Sequence, residues 1–295
     1  MSFLDSYRLE AFSAVAGEAS FTRGAARIGI TQSAISQRVS KLEDDLGATL
    51  FVRDRDRVRL TSEGQVLLRY ARAREALEHE MLAGLVAPAS DPEALRGAVR
   101  IAGYSSVTRS VLLPALTPLV HPAQELTVHL FSRELDELPR LLRNGEADMI
   151  VIDRELPEAG LENLPLGEET NVLVEPEGEL IRDDCYLDHD AEDTTTERFL
   201  RVNGRTFAGE HRSYMDDIYG ILDGVAAGWG RAVVSAHLID EVEGLRRVPG
   251  FMPLMTPLYL VFRKSRHQSK VHHRVVEALR LGCPALLGDA ASAPR

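Results

Sequence analysis

The segment from Thr31 to Gly47 has the most restrictive pattern in this chain. Thr31 is a typical helix N-cap residue, and Gly47 is typical of the position just after a helix. The apolar residues between them recur at helical spacing and share one face. They are Ile35, Val39, Leu42 and Leu46. The pattern predicts one amphipathic helix that packs on a core and presents a polar face outward.

Two shorter helices are predicted before this one. Leu9, Phe12 and Val15 recur at helical spacing, and residues 24–28 are mostly small, which allows close helix packing. Gly29 predicts a tight turn before the third helix. Three helices in this order indicate a helix-turn-helix.

A basic hairpin is predicted directly after the third helix. Residues 50–61 fit two short strands around a charged turn, with arginines at alternate positions that share one side of the ribbon. These are Arg53, Arg55, Arg57 and Arg59. Residues 1–62 carry nine basic and eight acidic side chains, whereas the whole chain has a net charge of −11. DNA binding is therefore expected of this segment alone, because the acidic remainder would repel phosphate.

The polar face of the third helix can contact DNA. Glutamine pairs with adenine, serine bonds base edges or phosphates, and lysine neutralises phosphate. An ordinary solvated helix face is the alternative for these residues. The face contains Gln32, Ser33, Ser36, Gln37, Ser40 and Lys41.

The first 64 residues resemble the LysR-type transcriptional regulators, which have a winged helix-turn-helix. The resemblance is carried by Ser20-Phe21-Thr22, Ile30–Gln37, Leu42-Glu43, Leu46-Gly47, Leu50-Phe51, Arg53 and Leu60–Gly64. It implies DNA contacts from Thr31, Gln32, Ser33, Ser36, Gln37, Lys41 and the wing residue Arg53. Gly24 departs from the alanine that the family usually has, which we expect to soften the second helix slightly. Residues 1–62 are thus predicted to form the DNA-binding domain.

A long linker helix is predicted over residues 63–86, which contain no proline and are rich in Ala, Leu, Arg and Glu. An apolar seam is expected on it, comprising Leu67, Tyr70, Leu77, Met81 and Leu85. The seam can pack on its own domain, whereas the resemblance implies pairing with a second subunit in a homodimer, and from there a tetramer. Residues 87–97 are predicted to be a hinge.

The remaining residues, 98–295, predict an α/β effector-binding domain. Strands alternate with helices, which favours a mostly parallel sheet with helices on its faces. The resemblance implies two lobes, similar to those of periplasmic binding proteins, with a ligand cleft between them. Lobe I is expected at about residues 98–174 and 265–295, and lobe II at about 175–264.

Polar residues at the carboxyl ends of the predicted strands are candidates for the cleft, because ligands bind there in such sheets. Ser105, Ser106, Ser132 and Asp153 occupy such positions. The resemblance favours Ser105, Ser106, Ser132 and Thr206 as effector contacts, although serines at helix starts also serve as ordinary caps.

The effector class stays open at this point. Tyr186–Asp190 and Ser33–Arg38 resemble the subgroup that senses lysine or arginine and controls amino-acid export. Ser106 and Arg133, in contrast, stand in the region where that subgroup tends to place carboxylates, which disfavours a cationic effector, and Arg133 would suit an anionic group. An amino acid and an organic anion are both retained as candidates.

Other classes of protein are disfavoured by the sequence. The nine histidines are scattered without metal-ligand spacing or a nucleophile motif, so neither an enzyme nor a metal or other cofactor is expected. No apolar run approaches the roughly 20 residues of a membrane span, and the first residues do not resemble an export signal, which favours the cytoplasm. A solute-binding receptor would fit residues 98–295 but has no use for the first 62.

Overall fold

A computed structural model describes residues 5–53, 58–86, 95–178, 182–207, 211–239, 242–265 and 268–288. The chain divides into two compact units. The first comprises Met1–Ala98 with Arg140–Ala147, and the second Val99–Pro139 with Asp148–Arg295.

The first unit contains the predicted helix-turn-helix, hairpin and linker helix. Its elements are α1 (Ser6–Glu18), α2 (Phe21–Arg27), α3 (Gln32–Leu46), β1 (Phe51–Arg53), β2 (Val58–Leu60) and α4 (Ser62–Val86). Strands β1 and β2 pair antiparallel, with Phe51 opposite Leu60. The turn with Arg55 and Arg57 lies outside the described residues, as does most of the predicted hinge.

The core of this unit is built on the buried face of α3. Ile35, Val39 and Leu42 are fully buried, as the spacing predicts. Leu46 is 38% exposed, so the prediction that it belongs to the buried face is wrong. It is the last residue of α3, where the helix has already passed the edge of the core.

The linker helix contributes to the same core. Leu67, Leu68 and Ala71 of α4 are buried in it, so the prediction that Leu67 belongs to an exposed seam is wrong. The first turns of α4 pack against the helix-turn-helix, since α4 follows β2 after a single residue. Among the described side chains of the seam, Tyr70, Leu77 and Met81 are exposed, and the side chain of Leu85 lies outside the described residues.

The rest of the chain alternates strands and helices. The elements are β3 (Arg96–Gly103), α5 (Ser105–Val107), a π-helical segment (Thr108–Leu112), α6 (Leu113–Val120), β4 (Glu125–Ser132), α7 (Leu138–Arg143), β5 (Met149–Ile152), β6 (Leu161–Pro176), β7 (Cys185–Asp188), α8 (Thr195–Val202), β8 (His211–Tyr214), α9 (Ile218–Ala226), β9 (Ala232–Ser235), a 3-10 turn (Ala236–Leu238), β10 (Leu245–Arg247), β11 (Leu254–Arg263) and α10 (Lys270–Leu287).

The main sheet is mixed, so the expectation of a mostly parallel sheet is wrong. Its order is β10-β6-β11-β5-β3-β4, with β9 also on β6. Strands β3 and β5 pair parallel, but β11 runs antiparallel to both β5 and β6. The sheet is mixed because the two long strands β6 and β11 run in opposite directions and pair along most of the length of β11. Strand β6 was not predicted, because Pro165 and Gly167 interrupt its apolar pattern.

Strand β6 runs across the boundary that is expected between lobes I and II. The first part of β6 pairs with β11 only, and from Asn171 onward its partners become β9 and then β10. Strands β9 and β10 belong to the predicted lobe II. The change of partners thus comes a few residues before the lobe boundary expected after residue 174.

Candidate DNA interface and effector cleft

The predicted DNA contacts on α3 lie on the face opposite the buried Ile35, Val39 and Leu42. Ser36 is half-buried at the edge of this outer face. The exposed members are Thr31, Gln32, Ser33, Gln37 and Lys41. One helix therefore presents hydroxyl, amide and ammonium groups together, as contacts with base edges and phosphates require.

Thr31 fixes the beginning of this helix. Its Oγ1 accepts a hydrogen bond from the backbone N–H of Ala34 at 3.2 Å and lies 3.0 Å from Ser33 Oγ. Gly29 precedes it with a φ of 69°, a left-handed conformation that glycine adopts readily. The turn and the cap together set the direction in which α3 leaves α2.

Glu43 ties the hairpin to α3. Its Oε1 accepts hydrogen bonds from the backbone N–H groups of Leu50, at 2.7 Å, and Phe51, at 3.3 Å. The Leu42-Glu43 and Leu50-Phe51 motifs are thus two sides of one contact. Arg53 ends β1, and its side chain lies outside the described part of the chain.

Gly64 allows α4 to begin directly against the hairpin. A Cβ at this position would lie 2.2 Å from the carbonyl oxygen of Leu50, far inside normal contact distance. Thr61 caps α4, since its Oγ1 accepts from the Gly64 N–H at 2.9 Å and donates to the Thr49 carbonyl at 2.6 Å. The Leu60–Gly64 motif is therefore explained by the packing of this junction.

The second unit contains a cleft of about 880 Å³. Ser105, Ser106 and Ser132 line it, as do Asp153 and Arg133. Thr206 is not among its described lining residues. The structure thus brings three of the four predicted effector contacts together.

Thr206 is exposed in the coil that follows α8. On one side of it, the Arg205 guanidinium lies 4.3 Å from the centre of the Phe251 ring. On the other side, Phe207 packs against Tyr186 with ring centres 5.7 Å apart. These contacts hold the coil against lobe II, away from the cleft lining.

Carboxylates dominate the lining of the cleft. Ten lining residues are Asp or Glu, against two arginines, Arg133 and Arg198. The acidic residues are Glu134, Asp136, Asp153, Glu169, Asp188, Asp190, Glu192, Asp193, Asp216 and Asp217. Of these, the sequence pointed only to Asp153. The run from Asp188 to Asp193 is visible in the sequence, but its partners come from distant segments.

Some of these carboxylates are engaged by protein groups. Asp188 is buried and accepts hydrogen bonds from Thr196 Oγ1 and Arg212 Nε, both at 2.5 Å. Burial raises the pKa of Asp188, and the bonds from Thr196 and Arg212 oppose that rise. Asp217 caps α9 by accepting from the Gly220 N–H at 3.1 Å.

Arg133 is also held by its own strand end. Its Nη1 donates to the Ser132 carbonyl at 2.7 Å, and its guanidinium lies 5.4 Å from the centre of the Phe131 ring. These contacts use part of the donor capacity that an anionic ligand would need.

A buried part of the lining is formed by β6 and its neighbours. Glu169 is 3% exposed and its carboxylate accepts hydrogen bonds from Tyr104 and Ser235. Burial raises the pKa of Tyr104 well above its ordinary value, and the Glu169 carboxylate raises it further. Sequence reasoning missed Glu169, because it lies in the unpredicted strand β6.

Both cysteines are buried. Burial raises the pKa of the Cys283 thiol to about 12, which leaves almost no reactive thiolate at neutral pH. No described helix is long and apolar enough to cross a membrane.

Two family profiles match the chain. Residues 7–65 match the bacterial regulatory helix-turn-helix protein, lysR family, and residues 92–284 match the LysR substrate binding domain. The first match contains α3, and the second contains the residues that line the cleft.

Individual relatives agree with these profiles. The chain is 35% identical over 170 residues to a probable hydrogen peroxide-inducible genes activator of Mycobacterium leprae, a match that covers 58% of this chain and 54% of that relative. The chain thus spans about half the length of this curated relative.

Solved structures show the same fold. ArgP from Mycobacterium tuberculosis superposes with a TM-score of 0.75 at 24% identity, covering 95% of this chain and 97% of that one. Full-length LysG from Corynebacterium glutamicum, with bound effector Arg, gives 0.70 at 21% identity, covering 95% and 98%.

The second profile alone spans more than half of the chain. The chain therefore belongs to the LysR-type transcriptional regulators, DNA-binding proteins with an effector-binding domain.

Proposed function

We propose that this regulator responds to a small organic cation of the basic amino-acid class, which binds in the cleft and alters promoter binding. The observation that carries the proposal is the excess of carboxylates in the cleft lining. A low-dielectric cleft lined by one sign of charge concentrates ligands of the opposite sign.

The geometry also offers groups for the other end of an amino acid. Ser105, Ser106 and Ser132 provide hydroxyls, and Arg198 provides a guanidinium. An α-carboxylate could bind these groups while the side-chain cation is directed toward Asp136 and Asp216. The fold is shared with LysG, whose structure contains arginine as effector.

An organic anion is the weaker candidate. The lining has ten acidic residues, two of them (Asp188 and Glu169) buried and bonded to protein groups, against two arginines, of which Arg133 already donates to Ser132. A peroxide effector, suggested by the name of the Mycobacterium leprae relative, would need a reactive thiolate. Burial of Cys185 and Cys283 opposes that chemistry.

Calorimetric titration of the full chain tests the effector class. We expect saturable binding of L-arginine or L-lysine and none of L-glutamate. The double variant Asp136→Asn, Asp216→Asn should weaken binding by about tenfold, because it removes two exposed carboxylates from the lining. The control Asp183→Asn, Asp184→Asn makes the same charge change outside the lining. Equal affinities for arginine and glutamate would contradict the proposal.

DNA binding is assigned to the outer face of α3, with contacts from Thr31, Gln32, Ser33, Ser36, Gln37 and Lys41, and from Arg53 in the wing. The protein would then act on promoter DNA in the cytoplasm. Effector binding would change promoter binding because the ligand has different affinities for two arrangements of the regulator.

Pairing with a second copy is proposed for the exposed apolar side chains of α4. Tyr70, Leu77 and Met81 are 48%, 49% and 54% exposed, which is a large apolar exposure for one helix. We expect sedimentation equilibrium to show a dimer or tetramer, and Leu77→Glu with Met81→Glu to give a monomer. The control Glu75→Gln, Glu78→Gln should not. A wild-type monomer would overturn this assignment.

A further inference from the structure

Six polar side chains form a hydrogen-bonded network that includes part of the cleft lining. Tyr104 and Ser110 flank α5 in lobe I, whereas Ser235 and His237 lie at the end of β9 and in the 3-10 turn of lobe II. Glu169 and Asn171, in β6, lie between these two pairs. We refer to these six side chains as the polar network.

Glu169 is the centre of this network. Its Oε2 accepts a hydrogen bond from Tyr104, and its Oε1 lies 2.8 Å from Ser235 Oγ and 2.9 Å from His237 Nε2. Asn171 extends the network to β11, since its Nδ2 donates to the Leu254 carbonyl at 3.2 Å. Both crossing strands and both lobes are thus connected through side chains.

Both ring nitrogens of His237 lie within hydrogen-bond distance of polar groups. Ser110 Oγ lies 2.5 Å from the Ser106 carbonyl oxygen and 2.8 Å from His237 Nδ1, and the imidazole tautomer decides which atom donates in the second contact. The imidazole bridges Ser110 in lobe I to Glu169 in β6.

The two residues on either side of Ser105 are both held by this network. Tyr104 is fixed through its hydroxyl to Glu169, and Ser106 is fixed through its carbonyl to Ser110 and then His237. The His237 side chain is only 4% exposed and is not part of the cleft lining among the described residues. It can influence a ligand only through other residues.

We propose that His237 is a positioning residue for the Tyr104–Ser106 turn of the cleft, acting from lobe II through Ser110 and Glu169. Removing a member of a buried network leaves its partners without hydrogen bonds. The loss of local stability should therefore be largest in the segments that contain those partners. The placement of the turn thereby depends on lobe II. The inference rests on the proposed function only in treating the turn as part of the effector site.

Hydrogen exchange of the full-length protein without ligand tests this proposal. In Ser110→Ala and His237→Ala, we expect the amides of residues 104–112 to exchange at least about tenfold faster than in the wild type. His272→Ala, a half-buried histidine of α10 outside the network, is the matched control and should leave this segment unchanged. In His237→Asn, the side-chain amide, which can donate or accept, can replace Nδ1 as the partner of Ser110, and exchange should return to within about threefold of wild type.

A uniform rise in exchange across the protein, or equal exchange of residues 104–112 in His237→Ala and His272→Ala, would overturn the proposal. Ser110→Ala removes a single oxygen atom, so it keeps the test available if His237→Ala does not fold. Titration with L-arginine separates this result from the proposed function. If arginine and lysine fail to bind the wild type, the effector class is wrong, while the exchange data still decide the role of His237.

Discussion

The outer face of α3 and the cleft of the second unit are built in opposite ways. The α3 face comes from one continuous segment that ends at Lys41, whereas the cleft is assembled from segments between Tyr104 and Thr256. The first site lies in a segment of nearly balanced charge, and the second is lined mostly by carboxylates. A site made by one helix is visible as a local pattern, but a site made by topology becomes visible only when strand order is known.

The largest effect is expected from damage to the first unit alone. Gly64→Ala would place a methyl group 2.2 Å from the Leu50 carbonyl, so we expect a loss of about 3 kcal/mol or more in unfolding free energy. Gly47→Ala is the matched control. It meets open space at a φ of 62° and should cost only about 1–2 kcal/mol.

Thermal unfolding tests the loss of stability, and titration with arginine tests whether the cleft stays intact. Gly64→Ala should lower the melting temperature of the first unit and abolish DNA binding, while the cleft still binds its ligand. Equal stabilities of the two glycine variants would show that the junction between β2 and α4 is less tightly packed than described.

A smaller effect is expected from the DNA-contacting face itself. The double variant Ser36→Ala, Gln37→Ala should weaken operator binding by about 2 kcal/mol, or about 30-fold, by removing groups that bond base edges. Fluorescence anisotropy on the operator measures it. The cleft variant Asp136→Asn, Asp216→Asn is the reciprocal control and should retain wild-type operator affinity without effector. Unchanged affinity in Ser36→Ala, Gln37→Ala would make this face an ordinary solvated one.

The effect that is smallest near neutral pH is a pH dependence confined to the second unit. Burial lowers the pKa of His272 to about 4, and its Nε2 is buried with no hydrogen-bond partner among the described residues. The folded state thus keeps the imidazole neutral while the unfolded state takes up a proton near pH 6.5. As the pH falls from about 6.5 to 4, protonation of this group in the unfolded state should lower the unfolding free energy by at most about 1.4 kcal/mol per pH unit.

The single tryptophan, Trp229, lies in the second unit and reports its unfolding by fluorescence. His272→Gln should reduce the pH slope, whereas the exposed neighbour His273→Gln should not. The same slope in both variants would assign it to other groups.

The sequence predicted the first unit well because each feature there is local. The spacing of Ile35, Val39 and Leu42 fixed the buried face of α3, and Thr31 marked its cap. The exceptions are Leu46 and Leu67, whose exposure depends on where neighbouring elements end. No local pattern states that α4 begins against the hairpin.

The second unit was predicted in part. Ser105, Ser106 and Ser132 follow strands directly, so strand ends placed them in the cleft. Thr206 did not fit, because aromatic contacts of its neighbours hold its coil elsewhere. Glu169 was missed because β6 is interrupted by Pro165 and Gly167, and its partners are far away in sequence. Their contacts depend on the antiparallel pairing of β6 with β9 and β11.

The most direct test of the whole account is operator affinity of the full chain, measured by anisotropy against salt concentration, with and without L-arginine. The duplex for this test is the region upstream of the gene that encodes this protein. The account predicts binding that weakens steeply as salt rises, because phosphate contacts release counterions. It also predicts that arginine shifts this affinity. Salt-insensitive binding, or an affinity that saturating arginine leaves unchanged, would contradict it.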